Sequence, residues 1–247
     1  MLSIAKNIPK LFGLAWDLQA ITALLSWPIF SVTSYSMVSA LKQQKLEPKT
    51  VLDIGANVGQ FAIAVAKLFP DVRVHSFEPI PECFSKLRQN VSKLRNVSVY
   101  QIALGDTMGE TICHVNSHSQ SSSILPLAPE HRKAFPDARE IKQVPIKIAT
   151  MDCIFAEKTL EPPVLLKLDV QGYEATVLRG GIDTLKRIEY VVAETSFKPL
   201  YQGESLFMEL VMLMQSCGFQ FVRPVGWLSN PKNGEVLQMD ALFVRQV

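Results

Sequence analysis

From residue 50 onward, short apolar runs alternate with longer stretches whose apolar positions recur at helical spacing. This rhythm predicts strands alternating with helices. Residues 50–54 form the first run. A small-residue turn follows, then a helix over about 57–68 that stops before Phe69-Pro70-Asp71. Residues 72–77 predict a second strand closed by Glu78-Pro79. Pro81 opens a helix reaching about residue 94, because proline is tolerated in a first turn. A third strand over 97–102 runs into a turn at Ala103-Leu104-Gly105-Asp106. Further strands are predicted over 164–168, 190–193, 219–223 and 240–244, with a helix over 205–216 before Gly218. Strict alternation of this kind implies an α/β fold with a mostly parallel sheet covered on both faces, as in a doubly wound domain.

Two regions break the rhythm. Between 107 and 149, strands at 110–115 and 144–149 flank a polar stretch over 116–140 that carries a serine cluster, His118 and His131. A segment this long inside a compact domain predicts a functional or disordered loop. Thr150 is placed to cap a helix beginning at Met151. The other exception is the N-terminus, strongly apolar between residues 11 and 41. Asp17, Gln19 and Pro28 interrupt that run, which argues against a membrane span. Lys6 and Lys10 are not followed by a small-residue cleavage site. The expectation is one or two helices packed on the domain or on a second subunit as a homodimer. Peripheral membrane contact through Trp16 and Trp27 is the alternative. The chain thus divides into a helical N-terminal extension, residues 1–49, and a domain over residues 50–247.

Composition narrows the function. A chain of 247 residues, 48% hydrophobic and 19% charged, fills a large core and is not a disordered polymer. A net charge of +2 gives no footprint for nucleic acid. Cys83, Cys113, Cys153 and Cys217 lie far apart, with no Cys/His spacing for a metal. They fit buried thiols in a reducing, cytoplasmic compartment.

The candidate chemistry begins at Asp53-Ile54-Gly55-Ala56-Asn57-Val58-Gly59. Gly55 and Gly59 let the backbone turn sharply and approach a ligand. The spacing differs from the G-x-G-x-x-G of dinucleotide sites. An acid and an asparagine suit a ligand bearing a positive charge and hydroxyls, and S-adenosylmethionine fits. Ligands of open α/β sheets bind at the carboxyl ends of the strands. Asp53, Glu78, Asp106, Asp169 and Glu194 all fall at or just past such ends. Glu78 lies roughly as far past the glycine turn, ~20 residues, as the acid that binds ribose hydroxyls in dinucleotide folds. Asp106 is placed to accept from an adenine amine. Lys167 and Asp169 share one face of a buried strand, where a lysine needs a partner. Gly172 relieves the next turn, and Glu174 opens a helix whose dipole favours an acid.

Asp53 to Gly59, Phe77-Glu78-Pro79, Ala103 to Asp106 and Lys167-Leu168-Asp169-Val170-Gln171-Gly172-Tyr173-Glu174 together resemble the FkbM family of S-adenosylmethionine-dependent methyltransferases over roughly residues 50–245. The resemblance implies a seven-stranded Rossmann-like sheet and O-methylation of a hydroxyl on a sugar, glycan or secondary metabolite. It implies cofactor binding by Asp53, Gly55, Asn57, Gly59, Glu78, Pro79, Leu104 and Asp106. A hydroxyl acceptor calls for a general base. Asp169 is the candidate, with Lys167 holding its geometry and Glu194 as the alternative. His118, His131 and the serines at 121–123 could reach the site from the long loop. No spacing demands a metal; a divalent ion would need Asp169 and Glu194 to converge. The missing third glycine argues against a nicotinamide oxidoreductase, and the run of acids argues against a non-catalytic cofactor-binding protein. Acceptor choice falls to the loops at 107–149, 195–204 and 224–234.

Overall fold

In a computed structural model of the protein, the structure describes residues 18–246. Lys6, Lys10, Trp16 and Asp17 lie outside the described residues. Two helices precede the sheet among the described residues: α1 (Leu18–Ser26) and α2 (Val32–Gln43), the latter capped by Ser31 Oγ, which accepts from the Ser34 N–H at 3.3 Å. In α1 the small residues face the body. Ala20 and Ala23 are buried beside Tyr35, Trp27, Phe30 and Leu68, while Leu18, Ile21, Leu24 and Leu25 are exposed.

The alternating region runs β1 (Thr50–Ile54), α3 (Gln60–Leu68), β2 (Arg73–Phe77), α4 (Pro81–Asn90) and β3 (Val97–Tyr100). An insertion follows: β4 (Ala103–Gly105), β5 (Gly109–Asn116), α5 (Pro129–Ala134) and β6 (Glu140–Thr150). The chain then returns through α6 (Met151–Phe155), β7 (Val164–Leu168), α7 (Glu174–Arg179), α8 (Ile182–Leu185), β8 (Tyr190–Ser196), α9 (Phe207–Ser216), β9 (Phe219–Ser229) and β10 (Val236–Arg245). The main sheet has seven strands in the order β3-β2-β1-β7-β8-β10-β9, parallel except for β10, which is antiparallel to both neighbours. Val51, Val74, Leu165, Val192 and Leu242 pack against α2, α3 and α4 on one face. Leu52, Leu166, Leu168, Ala193 and Phe243 pack against α6, α7, α8 and α9 on the other. Strand order reverses between β1 and β7, where a doubly wound sheet opens its ligand crevice.

Several boundaries differ from the sequence expectation. Helix α3 begins at Gln60 rather than near Asn57, because Asn57 (φ 49°) and Gly59 (φ 95°) are left-handed and belong to the turn. Helix α4 ends at Asn90, whose side-chain amide donates to the Val58 carbonyl at 2.8 Å. The expected turn at Ala103–Gly105 is strand β4 of a second, three-stranded sheet ordered β4-β6-β5; the insertion supplies its parallel partner at Ile148 to Thr150. The polar stretch is folded rather than loose. A 3-10 turn at Ser119–Ser121 and helix α5 order it, and Ser121, Ser123 and His131 are buried. Strand β8 continues to Ser196 because β10 pairs with it as far as Gln238, so Glu194 lies within the strand. The expected loop at 224–234 is mostly hairpin. Pro224 and Gly226 sit in β9, an edge strand with register shifts, where proline is tolerated. No helix among the described residues is long and apolar enough to cross a membrane.

Candidate active site

The turn after β1 is set by steric exclusion. A Cβ on Gly55 (φ 83°) would overlap the carbonyl oxygen of Asp169, so glycine alone lets the ends of β1 and β7 come this close. The Asn57 N–H donates to Glu78 Oε2 at 2.8 Å, and the Ile80 N–H donates to Oε1 at 2.9 Å. Glu78 is 5% exposed, and burial pushes its carboxyl up to about 7 against the pull of those two donors. Beneath the turn, Asp53 is fully buried. Its Oδ2 accepts from Ser76 Oγ at 3.2 Å, while Oδ1 accepts no hydrogen bond and lies 3.7 Å from Lys167 Nζ. Burial raises this carboxyl, and Lys167 offsets part of the rise.

The turn after β7 assembles the second half. Lys167 Nζ donates to Asp169 Oδ2 at 3.0 Å and sits 5.4 Å from the centre of the Phe61 ring. Burial opposes the ammonium charge, but Asp169 and Asp53 outweigh it and hold Lys167 charged. The Lys167 side chain is 6% exposed and that of Asp169 36%, so the pair runs from the buried sheet to the open edge. Gln171 (φ 59°) donates through Nε2 to Asp169 Oδ1 at 2.7 Å and to Glu194 Oε2 at 2.6 Å. Gln238 Nε2, on β10, also donates to Glu194 Oε2, at 3.1 Å. Burial, with repulsion from Asp169, Asp240 and Glu174, raises the Glu194 carboxyl well above its ordinary value. Glu174 Oε1 accepts from the N–H groups of Val170 (3.0 Å) and Gly172 (3.3 Å), and burial pushes its carboxyl up to about 8.

The structure therefore gathers Asp53, Lys167, Asp169 and Glu194 into one cluster, with the Glu78–Asn57 turn beside it. Pro79 follows Glu78 half-buried, and Leu104 is buried in β4. Asp106 stands apart at the exposed rim, 4.0 Å from Arg179 Nε. His118 is exposed. His131 is buried against Phe135 and Tyr201, and burial pushes its imidazole down to about 4. It faces aromatic rings rather than solvent. Of the serines, Ser119 Oγ reaches Asn57 Oδ1 at 3.4 Å and Ser123 Oγ donates to the Gln171 carbonyl at 2.7 Å. Sequence reasoning missed the roles of Gln171, Tyr201 and Gln238. Gln171 stood inside a quoted motif, and Gln238 precedes Asp240 by one turn of strand alternation, whereas Tyr201 carried no signal. Asp169 and Glu194 converge on the Gln171 amide, and among the described residues no group of three His, Cys, Asp or Glu side chains is arranged to hold a metal.

Residues 53–221 match the family model described as the methyltransferase FkbM domain. The chain is 28% identical over 179 residues to the 2-O-methyltransferase NoeI of Sinorhizobium fredii, covering 70% of this chain and 73% of that protein. It is 28% identical over 196 residues to the 31-O-demethyl-FK506 methyltransferase FkbM of Streptomyces tacrolimicus, covering 70% and 73%. The hexuronic acid methyltransferase AglP of Haloferax volcanii is 24% identical over 170 residues, covering 68% and 65%. These matches replace the nicotinamide alternative.

Proposed function

Because this chain belongs to the FkbM family of methyltransferases and uses S-adenosylmethionine as methyl donor, we propose that it methylates a hydroxyl of a small-molecule or glycan acceptor, with Asp169 taking the hydroxyl proton. The observation that carries this reading is the meeting of the Lys167–Asp169–Glu194 cluster with the Gly55–Glu78 turn at the point where strand order reverses. The printed activities of NoeI and AglP, a 2-O-methyltransferase and a hexuronic acid methyltransferase, support a sugar-like acceptor.

The residues present fit the donor. Each oxygen of Glu78 receives one backbone N–H and keeps a second lone pair for a ribose hydroxyl. Asp53, with its unsatisfied Oδ1 under the turn, supplies negative charge toward an ammonium group. Gly55, Asn57 and Gly59 give backbone access. Pro79, Leu104 and Asp106 complete the proposed set on the adenine side. When bound, S-adenosylmethionine supplies a methyl carbon already activated by its sulfonium. Asp169 accepts the acceptor's proton as the C–O bond forms and the C–S pair leaves with sulfur. Lys167 fixes Asp169 through Oδ2, and Glu194 stands across the Gln171 amide as the alternative base.

Calorimetric titration with S-adenosylmethionine, beside turnover on a panel of hydroxylated sugars, tests this. Asp169→Asn should bind the donor within a few-fold of wild type and lose at least ~10²-fold in turnover, as expected for a general base. Unchanged turnover removes Asp169 from the mechanism. The free cysteines support a reducing, cytoplasmic location. The outward leucines of α1 support contact of residues 1–49 with a second copy or a bilayer; sedimentation velocity with and without liposomes separates the two.

A further inference from the structure

Gln171 occupies an unusual place in the cluster. Both of its amide hydrogens point at carboxylates, one at Asp169 Oδ1 (2.7 Å) and one at Glu194 Oε2 (2.6 Å). Its Oε1 accepts from the Tyr201 hydroxyl. Its backbone is pinned as well, by Ser123 Oγ on the carbonyl at 2.7 Å. Tyr201 is 1% exposed and its hydroxyl also lies 3.2 Å from the Ser121 carbonyl oxygen, so one phenolic proton has two acceptors within reach. In the observed arrangement every group facing Asp169 Oδ1 and Glu194 Oε2 donates, and such an arrangement suits two ionised carboxylates.

A proton arriving on Asp169 Oδ1 or Glu194 Oε2, the two oxygens that face Gln171, would set an O–H against an N–H. Rotating the Gln171 amide by half a turn removes the conflict. Oε1 then accepts from the new O–H, Nε2 donates to the Tyr201 oxygen, and Tyr201 donates to the Ser121 carbonyl. Lys167 still donates to Asp169 Oδ2, and Gln238 still reaches Glu194. In the turned arrangement the new O–H, the phenol and the side-chain oxygen of Gln171 are all paired, and the carboxylate that stays ionised keeps its other donor, Lys167 on Asp169 or Gln238 on Glu194, so both arrangements are usable states of a buried polar network.

We propose that Gln171 and Tyr201 form a two-state hydrogen-bond latch, which holds Asp169 and Glu194 as a pair of acceptors before methyl transfer and turns over to house the proton afterwards. The inference rests on the reading of Asp169 and Glu194 as the proton-accepting pair. Gln171 and Tyr201 are positioning residues in it. The charged and titratable groups facing the pair come from every neighbouring element: Lys167 on β7, Asp53 on β1, Asp240 on β10, Glu174 on α7, and Glu204 in the loop after β8. His131 of α5 stacks on Tyr201 with ring centres 5.7 Å apart and is neutral above about pH 4, so it adds no charge near neutrality. Glu204 Oε1 accepts from the backbone N–H of Tyr201 at 2.9 Å and holds the base of the latch.

The test needs neither donor nor acceptor. In the full-length protein labelled with 15N, the Gln171 side-chain amide is identified by its loss in Gln171→Met and followed from pH 5 to 9. The latch requires a sigmoidal shift of that amide, and the inflection should vanish in Glu194→Gln. The Tyr201 ring carbon that bears the hydroxyl, followed by 13C in the same samples, should shift with the same inflection, because the phenol donates to Oε1 in one arrangement and accepts from Nε2 in the other. A Gln171 amide that does not titrate, or a Tyr201 ring that does not share its inflection, overturns the latch. Should Glu194→Gln fail to fold, the two wild-type titrations decide. A flat titration in a protein whose turnover falls in Asp169→Asn removes the latch alone. An intact titration in a protein that binds no S-adenosylmethionine removes the proposed function alone.

Discussion

The turn after β1 and the turn after β7 each hold one non-glycine residue in the left-handed region, Asn57 at φ 49° and Gln171 at φ 59°. Each also closes on a buried glutamate that accepts two backbone N–H groups. The difference lies in how those groups are received. Glu78 takes one N–H on each oxygen, while Glu174 takes both on Oε1. Glu78 must therefore present two acceptor oxygens, as a carboxylate does and a carboxylic acid or amide does not. Glu174 needs only one. A protonated carboxyl satisfies its turn equally well, and burial pushes it up to about 8. On the proposed function the first turn keeps a carboxylate available to the methyl donor, and the second uses its glutamate to shape the backbone that presents Asp169 and Gln171.

The largest effect expected from this contrast is at the glycines. A Cβ on Gly55 would overlap the backbone carbonyl of Asp169, which cannot move without parting β1 from β7. A Cβ on Gly172 (φ 92°) would lie 2.9 Å from Tyr201 Cβ and 3.0 Å from Glu204 Cβ, a smaller overlap that a shift of a few tenths of an ångström relieves. Gly55→Ala should cost at least ~3 kcal/mol, the upper range for overpacking with added left-handed strain, and Gly172→Ala ~1–3 kcal/mol. Urea denaturation of the two variants measures this. Equal losses would mean that β1 and β7 are not locked together at the site.

Next comes the exchange of each glutamate for its amide. Glu78→Gln turns an NH2 toward the N–H of Asn57 or Ile80, leaving a buried donor unmatched at a cost of ~1–3 kcal/mol. It should also weaken S-adenosylmethionine about tenfold, the equivalent of one lost hydrogen bond of ~1.4 kcal/mol to a charged acceptor. Glu174→Gln can keep both N–H groups on its remaining oxygen and should cost below ~1 kcal/mol. Chemical denaturation and calorimetry on both variants would contradict the contrast if Glu174→Gln proved the more damaging.

How much of this was legible in the sequence follows from what kind of physics each feature depends on. The strands and helices of the main sheet are local periodicity, and their order was readable. So was the pairing of Lys167 with Asp169, two apart on one face of a buried strand, whereas the approach of Lys167 to Asp53 on β1 was not. Strand β4 was not, because Ala103–Gly105 is extended only through a partner, Ile148 to Thr150, far along the chain. Pro224 and Gly226 pointed to a loop, yet an edge strand accepts both. Glu194 lay inside β8 rather than beyond it because β10 prolongs the pairing. Tyr201 was invisible: nothing near it in sequence shows that its hydroxyl meets Gln171 across the folded insertion.

The smallest effect, and the sharpest on the two glutamates, is the pH dependence of stability. Both have folded-state values above the ordinary 4.5, about 7 for Glu78 and about 8 for Glu174. Between 4.5 and those values the native state binds more protons than the unfolded chain, so the stability each group confers is greatest at low pH. It is lost as pH rises toward the folded value and is flat above it. Asp53, Glu194 and Glu204 are raised as well and add to the same downward trend. The two variants separate the contributions. Glu78→Gln should remove slope mainly below pH 7 and leave the decline between 7 and 8. Glu174→Gln should flatten that upper decline. Thermal midpoints collected from pH 5 to 9 on the three proteins show it as a difference of a few degrees. A decline between pH 7 and 8 that survives Glu174→Gln unchanged would assign that proton elsewhere in the cluster, with Glu194, facing Asp169 across the Gln171 amide, as the group to substitute next.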